Sequence, residues 1–550
     1  MPVDADPVGG TPAAGDTAWS RPVDAPPDRV ARPAALAGVV AALLSAAWSW
    51  QPSPWTDEAA TLDAATRPLP DLWRMLGTVD AVHGAYYLLL HAWVAVAGTS
   101  VVALRAPSAL AVGGTAAALY VLVRRLGGCG RLAGTAAAVV AVLPRSTWAG
   151  AEARPYALTA LVAVLLTLVA VRAAGAAGPA GPAGAAGLAV RWWAGYAVLG
   201  GLAVVVNVYL ALLVVAHGVS LALRPSRGVL VRFVVAGTAA ALLSAPVVLA
   251  ATGQTGQLGP ERPGVAGLLR EVAVNDVFLG DTPTPGTAVR TGLTVHGPGD
   301  LWQPAAVALA LAGLALAVLG VRAARRAGGY RADLARWTLP WAVLPPVLVV
   351  AATLAGPPLY NPRYFTFTVP AAAVLVVLGL EALPRRAALG AAVAVLLLAA
   401  PVYVSQRGST AKSGADWTGV ADRVAAGREA GDGVYFAPRT PQGAALGAAA
   451  GAPVRKTSRE IEVAYPDAFA GLTDVTLVTT PDSAGDLTGR SATLLASGDR
   501  LRGLRRLWVL RREDYPPAAA AAEDAFLAAA GFRPAGTWPG VTTRVVLLRR

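Results

Sequence analysis

Between residues 34 and 405 the chain repeats one pattern. A run of Ala, Leu, Val and Gly is followed by a short break that carries arginine or proline. A helix that crosses the hydrocarbon core of a bilayer needs about 20 apolar residues, within a range of about 17–25. By that criterion spans fall near 34–50, 105–123, 132–148, 156–173, 193–208, 209–223, 233–252, 301–321, 337–355, 364–382 and 387–405, eleven in all. The stretch 193–223 fits either one long helix or two short ones broken near Asn207. Residues 83–98 are apolar too, but their run is short for a crossing, and counting it would invert everything downstream. They read as a helix lying in the interface. Asp71–Leu76 precedes them, with Trp and Arg flanking Leu and Met as interfacial helices favour. Loop 51–104 is then long, external and membrane-hugging.

The arginines test this arrangement. With the N-terminus cytoplasmic, the inner loops hold Arg124, Arg125 and Arg131; then Arg172 and Arg191; then Arg224, Arg227 and Arg232; then Arg322, Arg325, Arg326, Arg331 and Arg336; and last Arg385 and Arg386. The longer outer loops are relatively poorer in arginine, as the positive-inside rule requires. Residues 1–32, rich in Pro, Ala and Asp, read as a disordered cytoplasmic tail. The first apolar run lies too far from the start, with no short basic lead, to be a cleaved signal peptide. The Ala/Gly/Pro stretch 173–187 reads as a flexible inner loop.

After residue 405 the pattern changes. β-like runs at Gly433–Phe436, Val475–Thr479, Leu507–Leu510 and Val541–Leu548 alternate with helix-like runs at Trp417–Ala430 and Ala518–Ala530. This is the signature of a small α/β domain. The fold class expected is therefore a multi-pass α-helical membrane domain, 33–405, followed by an extracytoplasmic α/β domain, 406–550, on the same side as loop 51–104.

Composition narrows the function. Only 14% of the residues are charged, against about 25% in ordinary soluble proteins, and 55% are hydrophobic. That excludes both a soluble enzyme and a disordered chain. Lys and Arg outnumber Asp and Glu by 46 to 33, giving +13, yet only Lys412 and Lys456 are lysines. The arginines sit in loops rather than in a basic surface interleaved with aromatics, so no nucleic-acid partner is expected. A single cysteine, Cys129, and four scattered histidines offer neither a disulfide nor a cysteine-based zinc site.

Four polar constellations remain, and ionisable groups at a membrane boundary are costly enough to need a reason. Trp55-Thr56-Asp57-Glu58 follows the first span. A carboxylate shielded there can have its pKa raised toward neutrality and act as a base; the run also fits a helix N-cap. Glu152-Ala153-Arg154-Pro155-Tyr156 could bind a phosphate and a hydroxyl, or be a loop ion pair before a proline-started helix. Asn361-Pro362-Arg363-Tyr364 offers a guanidinium fork to a phosphate, or an interface anchor. Asp80 with His83, Tyr86 and Tyr87 fits a site or plain packing. All four border the long external loop. An apolar-walled cavity carrying acids, arginine and aromatics suits a lipid phosphate, its tail in the bilayer, its phosphate on arginine and its sugar on carboxylates.

The order of these runs resembles the GT-C fold glycosyltransferases of the protein O-mannosyltransferase and aminoarabinose-transferase type. The likeness rests on Asp57-Glu58 after the first span, Asp80…His83…Tyr86-Tyr87, the run Ala103-Leu104-Arg105-Ala106-Pro107-Ser108-Ala109-Leu110, Glu152 through Leu158, and Arg363-Tyr364, with Asp416-Trp417 and Gly431-Asp432 in the tail domain. The resemblance implies transfer of a sugar, mannose or a pentose, from a polyprenyl-phosphate donor to an extracytoplasmic protein, glycan or lipid-glycan acceptor, at the plasma membrane and with inversion. It implies Asp57 as the general base and Glu58 as a catalytic residue that positions the acceptor or Asp57. It further implies Arg363 and Arg154 on the leaving phosphate, and Asp80, His83, Tyr86, Tyr87, Glu152, Tyr156 and Tyr364 around the substrates. Relatives with His-Pro-Pro before the tyrosine pair differ here, where His83-Gly84-Ala85 stands. No metal or other cofactor is required. The rival expectation is a membrane transporter or lipid flippase, which calls for polar or Gly/Pro-broken spans at mid-membrane depth.

Overall fold

The computed structural model describes residues 27–176, 185–254, 264–280, 298–440 and 453–550. The expected tail as far as residue 26, and residues 177–184 of the 173–187 loop, lie outside them. Residues 27–32 are helical: α1 (Pro27–Ala46) opens on a proline, whose missing N–H is one the first turn leaves unpaired anyway.

Helices α2 (Thr56–Thr66), α3 (Leu69–Leu76) and α4 (Gly84–Ala97) follow before α5 (Val101–Arg125). α1 and α5 pack antiparallel at a contact of small residues. A Cβ added to Gly113 would meet the Gly38 carbonyl at 2.6 Å and Ala42 at 2.8 Å. At the other end of the contact Arg105, early in α5, donates to the carbonyl of Pro52 at 2.9 Å, just past α1. The chain therefore leaves and re-enters on one face, and α4 makes no crossing. α4 stays at that face, its Tyr86, Tyr87 and Leu90 packed with Leu72 and Met75 of α3.

The third expected span is broken into α6 (Gly130–Val142) and α7 (Pro144–Ala149), because Pro144 cannot continue the hydrogen-bond ladder. α8 (Tyr156–Ala176) and α9 (Ala185–Val206) come next. The 193–223 region resolves into two helices. Asn207 is extended, at φ −157° and ψ 119°, and its side chain accepts from the Tyr209 N–H before α10 (Ala211–Ala222) begins. α11 (Arg227–Gly253) leads to two short helices, α12 (Val265–Arg270) and α13 (Asp276–Phe278). The bundle closes with α14 (Trp302–Ala327), α15 (Gly329–Ala355), a 3₁₀ turn Pro362–Thr368 that runs into α16 (Val369–Glu381), and α17 (Arg385–Ser405). Gly320 and Gly379 let α14 and α16 touch backbone to backbone, the way membrane helices pack tightly on small residues. Among the described residues nine helices are long and apolar enough to cross a membrane, and α6 and the Val208–Ala222 segment are shorter. The chain is a multi-pass membrane protein.

Beyond α17, α18 (Trp417–Gly427) packs on a five-stranded sheet ordered β2-β1-β5-β7-β6. Its strands are β1 (Gly433–Phe436), β2 (Thr473–Asp474), β5 (Arg506–Arg512), β6 (Arg533–Trp538) and β7 (Thr543–Arg549); β3 (Leu477–Thr479) and β4 (Arg490–Ser491) pair apart. β1 lies parallel to both β2 and β5, while β7 is antiparallel to β5 and β6. The expected strand Val475–Thr479 is displaced, because the Asp474 carboxylate accepts the N–H groups of Thr476 and Leu477 and turns the chain there. β6, unforeseen in the sequence, is an edge strand holding Pro534 and Gly536, residues that edges tolerate.

This domain sits on the first loop. Trp55 and Ala59 of the loop share an apolar cluster with Trp417, Val420, Val424, Phe436 and Trp508. Arg439 donates to Thr56 Oγ1 at 2.6 Å, and Arg67 to the Asp486 carbonyl at 2.7 Å.

Candidate active site

Trp55 is extended, at φ −142° and ψ −179°, and α2 starts at the next residue. Asp57 and Glu58 thus occupy the first helical turn, where the helix dipole favours anions. Neighbours on a helix point about 100° apart, and here the two carboxylates part company.

Asp57 faces a cavity of about 490 Å³. Its carboxylate lies 2.9 Å from Arg363 Nη1 and 3.4 Å from Arg154 Nη2. Asn361 aims Arg363 by accepting its backbone N–H at 3.2 Å. The Arg363 guanidinium also lies over the Trp55 ring, 4.7 Å from its centroid. Arg154 donates to the Tyr87 hydroxyl at 2.9 Å, and that hydroxyl donates to Asp80 at 2.7 Å. Asp80 is held at φ 58°, a left-handed conformation that costs a non-glycine residue about 1–3 kcal/mol and collects at functional sites.

Seven of the expected site residues line this cavity: Asp57, Asp80, His83, Arg154, Tyr156, Arg363 and Tyr364. Four do not. Tyr86 is buried with its hydroxyl 3.4 Å from Ser108 Oγ. Tyr87 is buried and acts only as the link between Arg154 and Asp80. Glu58 is turned away from the cavity into a fork-to-fork pair with Arg105, 2.7 and 2.5 Å, and accepts the Ala153 N–H at 2.9 Å. Of the two expected roles, positioning the acceptor or positioning Asp57, this geometry leaves the second, since the Glu58 oxygens are engaged by Arg105 and Ala153. Glu152 is likewise sealed, bound by Lys412 and by the Trp55 indole N–H at 2.6 Å.

The remaining wall comes from helix ends distant in sequence. The upper end of α9 gives Val206 and Asn207, the turn after it Val208 and Tyr209, and the end of α11 Val248, Ala251, Thr252 and Gln254. Gln254 ties α11 to the first loop by donating to the Leu76 carbonyl and accepting from the Ala81 N–H, at 3.0 and 2.9 Å. Tyr209 stacks on Tyr364, ring centroids 5.3 Å apart. Apart from Asn207, where the helix break was expected, the sequence marks none of these residues, since nothing local distinguishes a helix end that meets a loop far away in the chain. Arg105 and Lys412 had a signal: an arginine inside an apolar run, and one of two lysines in an arginine-rich chain.

The electrostatics depart from expectation at Asp57. Burial pushes its carboxyl up, but Arg154 and Arg363 outweigh it, and the pKa ends below the ordinary carboxylate range. Burial likewise opposes Glu58, where Arg105 and then Lys412 win and hold it down. Burial, reinforced by Arg154, lowers His83 to about 4, so it meets the cavity as a neutral imidazole. Two buried nitrogens of the cavity wall, Arg154 Nε and His83 Nδ1, have no hydrogen-bond partner among the described residues. Among the same residues no three His, Cys, Asp or Glu side chains gather as a metal site would need.

No protein-family model and no curated protein matches the chain. Solved structures of the oligosaccharyltransferase of the archaeon Archaeoglobus fulgidus do. The enzyme, AglB, in complex with an inhibitory peptide and a dolichol-phosphate is 12% identical at a TM-score of 0.46, over 93% of this chain and 74% of that one. The form tethered to an acceptor peptide is 11% identical at 0.44, over 92% and 73%. The complex with zinc and sulfate is 13% identical at 0.45, over 92% and 72%. The functional reading of this chain rests on its own site.

Proposed function

We propose that this protein is an integral membrane glycosyltransferase of the GT-C type, which moves a sugar from a polyprenyl-phosphate donor to an acceptor hydroxyl. The observation that carries the reading is Asp57 between Arg154 and Arg363 on the wall of a cavity at one end of the helix bundle. All the polar groups of that wall lie at the face holding the first loop and the C-terminal domain, not at mid-depth, which disfavours a transporter.

The donor's phosphate meets Arg363 and Arg154, whose planar forks suit it, and Arg154 Nε, without a partner among the described residues, adds a donor. Its isoprenoid tail leaves past Val206, Val208, Val248 and Ala251. The sugar lies toward Asp80 and His83. Phosphate oxygens compete with Asp57 for the two arginines, so donor binding frees the carboxylate and raises its basicity. Asp57 then takes the proton of the acceptor hydroxyl. The acceptor oxygen bonds the anomeric carbon as the bond from that carbon to the phosphate oxygen breaks, and polyprenyl phosphate leaves with the electron pair. Attack opposite the leaving group inverts the anomeric centre. The two guanidiniums meet the charge that develops on the phosphate, usually the largest catalytic contribution.

The acceptor is a protein, a glycan or a lipid-linked glycan, on the outer side of the plasma membrane if the arginine-rich loops are cytoplasmic. The test is a transfer assay on purified, reconstituted protein, with a panel of polyprenyl-phosphate sugars led by mannose and pentoses and with a set of acceptors. Release of polyprenyl phosphate from one donor is expected. Absence of both release and binding for every donor would overturn the reading.

A further inference from the structure

Lys412 lies far from the cavity in sequence, on the segment 406–415 that joins α17 to the C-terminal domain. It is buried, with 2% of its side chain exposed. Its ammonium donates to the Ala151 carbonyl at 2.7 Å, pairs with Glu152, and stands 5.8 Å from the centre of the Trp148 ring. The ammonium thus meets two acceptors, with an aromatic ring nearby. A guanidinium, planar and with five donors, would not be satisfied in that space. This explains a lysine in a chain where 46 − 2 = 44 of the basic residues are arginine.

Glu152 does not stop at Lys412. Its other oxygen accepts the Trp55 indole N–H at 2.6 Å and so fixes the ring's orientation. The face of that ring carries the Arg363 guanidinium, and Arg363 reaches Asp57. Each link is a direct contact between named atoms, and every member but the last two is sealed from water. We propose that Lys412 is a positioning residue: through Glu152 and Trp55 it sets Arg363 for the phosphate of the donor, so that seating of the C-terminal domain's root tunes phosphate affinity. This rests on the reading of the cavity as a lipid-phosphate site.

The experiment uses full-length protein in lipid nanodiscs and farnesyl phosphate as the probe, with affinity read by calorimetry and folding by thermal unfolding. The paired change Lys412→Met with Glu152→Gln removes both buried charges together and strands neither. Trp55→Phe keeps a ring but cuts the link without touching a charge. Each is expected to weaken binding about tenfold, the usual size for losing an orienting partner. The triple variant is expected to bind no worse than either alone, because the same path is already broken. Losses that multiply in the triple variant would overturn the proposal. So would a lowered unfolding temperature with unchanged affinity, which marks a purely structural pair. If the charge pair fails to fold when altered, Trp55→Phe still decides: unchanged affinity there refutes the link. Wild type that does not bind the probe would bring down the lipid-phosphate reading as well, whereas wild type that binds alongside unaffected variants would overturn only the role of Lys412.

Discussion

Two sets of ion pairs stand side by side at one face of this protein and do different things. Glu58 with Arg105, and Glu152 with Lys412, are sealed: their side chains are between 0% and 4% exposed. Asp57, with Arg154 and Arg363, is 23% exposed and opens on a cavity. All are a carboxylate with a cation, and what separates the two sets is where water and ligand can reach. A sealed pair has its lone pairs and protons spent within the protein and serves to hold the first loop against α5 and the C-terminal segment. The open triad keeps capacity to exchange partners, which a site for an anionic substrate needs. The helical turn that begins at Thr56 makes the division, since it sends adjacent carboxylates in different directions.

The sharpest way to break this comparison is Asp57→Asn. Transfer is expected to fall about a thousandfold, within the usual range for loss of a general base, while farnesyl phosphate still binds, since both arginines remain. Transfer at the wild-type rate would remove Asp57 from the chemistry. Arg105→Met makes the converse test on the sealed side. It leaves Glu58 buried without its partner, and an uncompensated buried charge costs about 3–5 kcal/mol. The expected outcome is a large drop in unfolding temperature. A stable variant with altered donor specificity would mean that Glu58 belongs to the site after all.

Arg363→Ala should have a smaller effect. A charge-assisted contact to phosphate is worth about 1.5–3 kcal/mol, so donor KM is expected to rise about 10- to 100-fold. Steady-state kinetics across donor concentrations check it; an unchanged donor KM with an altered acceptor KM would place Arg363 on the acceptor instead.

How far the sequence reaches follows the same divide. Apolar length alone reveals the helices, and the α1–α5 contact agrees with leaving 83–98 out of the crossings. Asp57, Arg154 and Arg363 stand out because charge at a membrane boundary is expensive. Local sequence cannot tell the working acid from the girder: Asp57 and Glu58 are adjacent and chemically alike, and only the turn of α2 and the distant Arg105 separate them. Thr252 and Gln254 are silent for a related reason, since they enter the wall through the tertiary packing of α11 on the first loop. β6 carries no strand signal because proline and glycine interrupt it, although an edge strand accepts both.

The finest test of the open triad is its response to acid. A carboxyl whose folded pKa is depressed stays ionised well below the ordinary value, and its contribution is lost only as pH falls through the lower folded value. Asp57 is depressed because Arg154 and Arg363 outweigh its burial. In the free enzyme, whose groups kcat/KM reports, the acid limb assigned to Asp57 is therefore expected below the usual carboxylate range, leaving the profile level from about pH 5 to 8 on its account. Arg363→Ala removes one of the two opposing charges and leaves burial in place, so the limb is expected to move upward. The kcat profile should already show part of that rise in wild type, because donor phosphate draws the arginines away from Asp57 in the complex. Coincident limbs for kcat and kcat/KM, unmoved by Arg363→Ala, would mean that the arginines do not govern the charge of Asp57, and the distinction between an exchanging triad and a fixed pair would be lost.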